Sequence, residues 1–572
     1  MSNQARLLLK GGLAYAAILW LFCSSAVAGE SPLLKAMEHE LTRNVSSLAL
    51  DDYDPPYFVS YTIKDRRSSY IRGRLGALTD DDESKRRSAS VEVRVGNYTS
   101  DNTLDREGQS YDEMSLMQAE QSIPLDDNPD AVRHVLWLLT DQKYKEALTA
   151  YHRVKGASVY RKPNESNAFS KERSVQRVMP LEESDFDRSK WLEVVRVLSK
   201  ELMKDGIVQD GAVEVTRSVE ARYYVNSEGT RLQTQKSVVG FHVTGRTLAE
   251  DGAVLKYGQN FYATTGHDLP KFDILKETVV EVREHLGNLR TAAILAPYTG
   301  PAILRPRAAG VLFHEAIGHR LEGHRQDDPE EGRTFAGQIG EAVLPEFLSV
   351  IDDPTQDSFE GISLNGHYQF DDEGVPAQVA SLVEEGVLRG YLMGRKPIEG
   401  VSRSNGHGRA EGVSKPVGRM GNLFITASDA VPFEELKEML LKEVRKAKRP
   451  FGLIIGDVTG GSTNTMNFGY QAFKGGATQV YKVDAKSGEM ELVRGVEIVG
   501  TPLSSINKVV AASTESGVFN GYCGAESGNV PVATIAPALL LREIEVQRTM
   551  RANQRGPLLP APTLLEKGDK KP

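Results

Sequence analysis

The sequence predicts an α+β protein: a mixed α/β N-terminal domain followed by a β-rich C-terminal domain that carries one conspicuous histidine-containing helix. Three observations lead there. The chain has 572 residues, 40% hydrophobic and 26% charged, ordinary globular usage that excludes a disordered, collagen-like or coiled-coil protein and leaves room for more than one domain. Its 52 Gly and 26 Pro ask for many turns rather than long helices. Near residue 290 the texture changes, from helical-period segments mixed with strand-like runs to Gly-rich strand-like segments. The net charge of −9 argues against a broad phosphate-binding surface, so nucleic acid is not the expected partner.

Taken in order, residues 1–28 read as a cleavable signal peptide. Arg6 and Lys10 precede an apolar run, Gly12 to Phe22, too short for a comfortable membrane span, and Ala26-Val27-Ala28 supplies the small residues of a cleavage site. No later stretch is apolar enough to span a bilayer, so the expected mature chain is exported to a periplasmic or otherwise extracytoplasmic space. Residues 29–289 form the N-terminal α/β domain. Leu33 to Leu48 has helical spacing and ends in the turn Asp51-Asp52-Tyr53-Asp54-Pro55-Pro56. Strand-like runs at 57–63 and 90–95 follow, then helix candidates at 131–151 and 191–203, strands at 221–225 and 237–244, and a helix at 274–286. Residues 290–545 form the β-rich domain, with strands at 292–295, 347–351, 378–383, 453–455, 478–483 and 496–499. Asp371-Asp372-Glu373-Gly374 reads as a solvated acidic turn. Residues 546–572, rich in Pro and ending in Lys, read as a disordered tail.

Chemistry concentrates at 304–324. Pro306 suits the first turn of a helix, small and apolar residues follow, and His314, Glu315, His319 and His324 arrive together. A histidine followed at once by glutamate is the arrangement in which a carboxylate deprotonates a zinc-bound water. The spacing is H-E-x-x-x-H, however. At about 100° per residue an i,i+5 pair diverges by ~140°, so a regular helix cannot turn both imidazoles to one ion. Gly318 offers a local bulge or a helix end that swings His319 back beside His314. Cysteine arithmetic supplies a third donor: Cys23 lies in the leader, which leaves Cys523 without an internal disulfide partner. Two imidazoles, one thiolate and a water make an open tetrahedral zinc site, with His324 competing as third ligand.

The stretch His314-Glu315-Ala316-Ile317-Gly318-His319-Arg320-Leu321-Glu322-Gly323 resembles the zinc-peptidase subunit of the TldD/PmbA family. Further blocks resemble the family in order: 337–341, 371–376, Pro416-Val417-Gly418-Arg419-Met420, 493–500 and Cys523-Gly524-Ala525-Glu526-Ser527-Gly528-Asn529-Val530-Pro531. The match is good over about 290–540 and loose before it. The resemblance implies zinc (Zn2+) held by His314, His319 and Cys523, with Glu315 as the general base for attack on a peptide carbonyl. It moves His324 to a supporting position; apart from the resemblance, His407 and Arg409 are further candidates, with His324, for supporting the site or touching substrate. It also implies a peptide or unfolded-protein substrate bound as an added β-strand, and a homodimer or a heterodimer with a related subunit. The expected activity is zinc-dependent hydrolysis of peptide bonds in unfolded or extended polypeptides. The alternative from another class is a non-catalytic peptide-binding or assembly subunit, which should lack the His, Glu and Cys set present here. A nucleotide enzyme is disfavoured, since the chain has no Gly-Lys dipeptide and hence no Walker A loop.

Overall fold

The computed structural model describes residues 31–104, 121–158, 166–182, 185–468 and 473–549. The leader at 1–28 and the tail from 550 onward lie outside the described residues.

The first half is built on a seven-stranded antiparallel-rich sheet, counted among the described residues. Helix α1 (Pro32–Ser47) begins at a proline in its first turn and buries Leu33, Leu34, Met37 and Leu41, one face of a 3.6-residue period. Strands β1 (Pro56–Arg74) and β2 (Ala77–Val95) form a hairpin far longer than the two short runs the sequence suggests. Arg74 pairs with Ala77 across the two-residue turn Leu75-Gly76, and both turn residues have positive φ, 55° and 82°, as a type I′ hairpin demands. Helices α2 (Pro129–Ser158) and α3 (Arg188–Leu202) precede β3 (Asp210–Asn226), β4 (Arg231–Leu248) and β5 (Val254–Ala263), and α4 (Phe272–Thr291) ends the half.

Period-two alternation divides this sheet's work. Odd-numbered β1 and β3 residues such as Val59, Tyr61, Ile63, Val213, Val215 and Tyr223 face the helices. Helices α1 and α2 cover one end and α3 and α4 the other. The even-numbered face carries Lys64, Arg222, Tyr224 and Lys236, and it meets the C-terminal half. Lys64 Nζ pairs with Asp372 at 2.9 Å, Arg222 Nη1 donates to the Asp371 carbonyl at 2.6 Å, and Lys236 Nζ donates to the carbonyls of Asn365 and His367. The acidic segment read as a solvated turn is therefore a seam: Asp371 is 1% exposed and its carboxylate accepts from the N–H groups of Glu373, Val375 and Gly408. An acidic run reads as surface unless the cations that neutralise it, here more than 140 residues away in sequence, are known.

At the same seam Glu373 Oε2 accepts from Arg395 N at 2.6 Å. Burial, with the charge of Asp371 adding to it, pushes the Glu373 carboxyl up to about 8. The folded chain therefore holds a proton that the unfolded chain releases near pH 4, so this contribution is full below about pH 4 and fades as pH rises through about 8. Stability in urea is expected to fall between pH 5 and 8 with a slope of up to about 1.4 kcal/mol per unit from this group. The permanently neutral Glu373→Gln variant should flatten that slope, and an unchanged slope would reject the assignment.

The second half is a twelve-stranded mixed sheet, again among the described residues. Its long members are β6 (Tyr298–Leu304), β7 (Leu348–Asp352), β8 (Asn422–Ala427), β9 (Phe451–Thr463), β10 (Phe473–Asp484), β11 (Val509–Ala525) and β12 (Gly528–Arg548). The order β7-β8-β12-β6-β9-β10 runs through its middle, with parallel pairs at β8·β12 and β6·β9. Helix α5 (Pro306–Ala316) packs on one face and α6 (Phe433–Lys446) on the other. Central strands are thus buried on both faces, and they read as unbroken apolar runs: Ala302-Ile303-Leu304, Leu453-Ile454-Ile455 and Ala538-Leu539-Leu540-Leu541. Within Leu453–Ile455, Leu453 and Ile455 face the α5 side while Ile454 meets Leu436, Leu440 and Val444 of α6.

Two readings need correction. The C-terminal half has a second substantial helix, α6. The last strand also runs to Arg548, past the expected start of the tail at Val546, which is 1% exposed and pairs with Ile498 and Tyr298. Among the described residues no helix is long and apolar enough to cross a membrane.

Candidate metal centre

Helix α5 is buried on all sides, Ala308 through Ala316, because it lies beneath β12, β9 and β11. It stops at Ala316. Ile317 N still bonds to Phe313 O, but the chain then tightens into a 3-10 turn, Gly318–Leu321. This is the helix end that Gly318 allowed for, with a different physical cause. Gly318 does not need positive φ; a Cβ there would collide with Met420 Sδ. The turn brings the rings of His314 and His319 to a centroid separation of 5.2 Å at 87°.

Cys523 enters from the end of β11, two residues before the tight turn to β12, in register with Val530. Its Sγ is 3.4 Å from His319 Nε2, and one donor atom from each of His314, His319 and Cys523 lies within 4.8 Å of the others. A zinc tetrahedron with Zn–N of about 2.0 Å and Zn–S of about 2.3 Å places its ligand atoms ~3.3–3.6 Å apart, so the spacing needs only a small contraction. His314 Nδ1 is buried without a hydrogen bond. Burial alone would push the Cys523 thiol up, but His319 and His314 outweigh it and hold the group well below the ordinary thiol range. Two imidazoles and a thiolate, all three buried, fit a zinc ion.

Glu315 is buried at the end of α5, where β9 passes so closely that a Cβ on Gly461 would land 2.5 Å from Glu315 Cγ. Arg320 closes the helix: its guanidinium donates to the carbonyls of Glu315 and Ala316, to Thr463 Oγ1 and to Asn464 O. The structure therefore brings His314, His319 and Cys523 to one place, and Glu315 lies at the same helix end against Gly461.

His324 stands next to them, paired through Nε2 with Glu526. His407 and Arg409 are committed elsewhere. His407, fully buried, spans Asp352 and Asn405, and Arg409 donates to the carbonyls of Met420 and Pro531 with its guanidinium over the Tyr368 ring. Both brace the core behind the centre.

Sequence reading missed Glu322, Arg325 and Arg419. Glu322 accepts from His319 Nδ1 at 3.2 Å and from Arg325 Nε at 2.7 Å, and Arg419 Nε is 3.3 Å from its other oxygen. Burial would raise this carboxyl, but His319 and Arg325 hold it down at about 2. Its position three residues after His319, on the same turn, was the available signal.

Comparison with known proteins points to metallopeptidase relatives. Residues 297–548 match the PmbA/TldA metallopeptidase C-terminal domain. A metalloprotease of Methanocaldococcus jannaschii is 29% identical over 334 residues, 58% of this chain and 68% of that protein. A zinc metalloprotease TldD homolog of Saccharolobus solfataricus is 26% identical over 282 residues, 47% of this chain and 57% of that protein. The crystal structure of TldE from Thermococcus kodakarensis shares the fold, with TM-score 0.56 and 15% identity over 90% of this chain and 100% of that one. The similarity to the TldD/PmbA family thus lies over the C-terminal half, residues 297–548.

Proposed function

We propose that this chain is a zinc-dependent peptidase that hydrolyses peptide bonds in unfolded or extended polypeptides. The observation that carries the reading is the convergence of His314, His319 and Cys523, with Glu315 following His314 directly in the chain. A zinc ion held by those three donors would polarise a water and the substrate carbonyl. Glu315 accepts the proton of the attacking water and returns it to the leaving amine. Arg320 holds the helix end that aims Glu315, and the buried walls exclude bulk water.

An extended substrate is supported by β9. Its edge toward β6 is paired only over Leu453–Ile455, and among the described residues no strand pairs with that edge from Gly456 to Thr463. That stretch contains Gly460 and Gly461 and passes directly over Glu315, so a peptide laid along it would bring its own backbone to the centre. The shared TldE fold supports an assembly with a second copy or a related subunit, and Arg6, Lys10 and the Ala26-Val27-Ala28 site support export.

Full-length protein prepared without chelator is expected to hold about one zinc per chain. It should also cleave an unstructured peptide in a chelator-sensitive way. In Cys523→Ser, zinc content should drop at least tenfold with the fold retained. A metal-free wild type that does not take up zinc would overturn the reading and favour the non-catalytic subunit.

A further inference from the structure

The segment Pro416-Val417-Gly418-Arg419-Met420 stands among the family-like blocks, yet nothing in the hydrolytic chemistry uses it. Arg419 is fully buried. Its Nη2 donates to the Cys523 carbonyl at 2.7 Å, its Nη1 to Ser527 Oγ at 2.8 Å and to Gly528 O at 3.1 Å. Its Nε faces Glu322 Oε1 at 3.3 Å. One guanidinium therefore hydrogen-bonds the backbone of the thiolate ligand and stands in ion-pair contact with the carboxylate that holds His319. Arg325 makes a second tie, from Glu322 to Glu526 at 2.7 Å, in the same β11–β12 turn.

This arrangement has a mechanical meaning. His319 and Cys523 are 204 residues apart, on a 3-10 turn and a hairpin end, and neither element fixes the other by itself. An imidazole can rotate about its side-chain bonds and can carry its proton on either nitrogen. A carboxylate on Nδ1 removes both freedoms and leaves Nε2 facing Cys523. A planar guanidinium then fixes its several acceptors relative to one another, which the single ammonium of a lysine does not. The neighbouring group Glu322, His324 and Glu526 also lies within 4.8 Å, but Arg325 already bridges both carboxylates and Arg419 adds a second positive charge at Glu322. A second cation there would meet a neutralised site.

We propose that Glu322 and Arg419 are the positioning residues of the metal centre: together they set the orientation of His319 and its distance from Cys523. This rests on the metal-centre reading above. The test compares full-length wild type, Glu322→Gln and Arg419→Lys, measuring zinc affinity by competition with a chromophoric chelator and recording the cobalt(II)-substituted absorption spectrum. Both variants keep side-chain size near that of the native residue. Each is expected to bind zinc about 10–100-fold more weakly, with altered thiolate-to-cobalt bands and unchanged circular dichroism. A folded variant with wild-type affinity and spectrum overturns the proposal. Where both variants misfold, nitrogen-15 histidine spectra of zinc-loaded wild type decide. Metal on His319 Nε2 with a proton kept on Nδ1 supports it, and metal on Nδ1 overturns it. A wild type that binds no zinc overturns the functional reading itself, and this proposal with it.

Discussion

Glu315→Gln is expected to keep its zinc and lose hydrolysis by at least about 10²–10⁴-fold. Glutamine fills the same volume against Gly461 and leaves Arg320 bonded to the main-chain carbonyls of 315 and 316, so the helix end should not move. What disappears is the only function the side chain has in this reading, accepting a proton from water and passing it on. The loss should fall on kcat with KM little changed, because the carboxylate is not part of the donor set and does not hold substrate. Measuring zinc content beside steady-state kinetics separates the two roles. A zinc-loaded Glu315→Gln variant within tenfold of wild type would remove Glu315 from the chemistry.

Arg395→Ala is expected to be the most destabilising single change at the seam between the two halves. The guanidinium is 1% exposed, donates to Ser170 O at 2.6 Å and to Glu228 at 2.8 Å, and lies 3.9 Å over the Phe169 ring and 5.0 Å over Phe58. Alanine leaves Glu228 without its guanidinium partner and opens a hole between two aromatic rings. Breaking a buried pair by removing one member costs about 3–5 kcal/mol, a large fraction of the roughly 5–15 kcal/mol that holds a typical domain together. Urea unfolding followed by tyrosine fluorescence should show an earlier transition for the variant. Arg395→Lys, which keeps the charge but not the planar fork, should fall between the two. An unfolding free energy within about 1 kcal/mol of wild type would mean that the halves are held chiefly by Lys64, Arg222 and Lys236.

Much of the site was legible because its parts announce themselves locally. His314 and Glu315 are adjacent, His319 is close in sequence with a glycine before it, and Cys523 is conspicuous once the leader is set aside. Helix α6 was missed: Leu436, Leu440 and Val444 recur every fourth residue, but its surface is so rich in Glu and Lys that it blends into the surrounding polar texture. The long hairpins were only half visible. Residues 80–87 of β2 are all charged or polar, because nearly all face solvent and Arg87 is buried against Asp65, and period-two hydrophobicity cannot mark a strand with no apolar face. Arg419 was missed, and the Asp371–Glu373 segment misread, for one shared reason. A buried charge looks like a surface charge until its partner is known, and these partners lie from about a hundred to several hundred residues away.

The β11–β12 hairpin has one more consequence, for the order of events during synthesis. The histidines emerge some two hundred residues before the thiolate that completes their donor set. Strand β12 is also the one on which β6, β8 and β11 all pair, so the middle of the sheet stays open until the final described segment arrives. Contacts of such long separation form late, after the loop-closure entropy has been met by hydrophobic burial elsewhere. A metal ion cannot therefore seed this fold as it seeds a small zinc domain, where ligands lie a few residues apart. If the proposed zinc binds, it enters a fold already built, and stripping it away should leave the architecture standing.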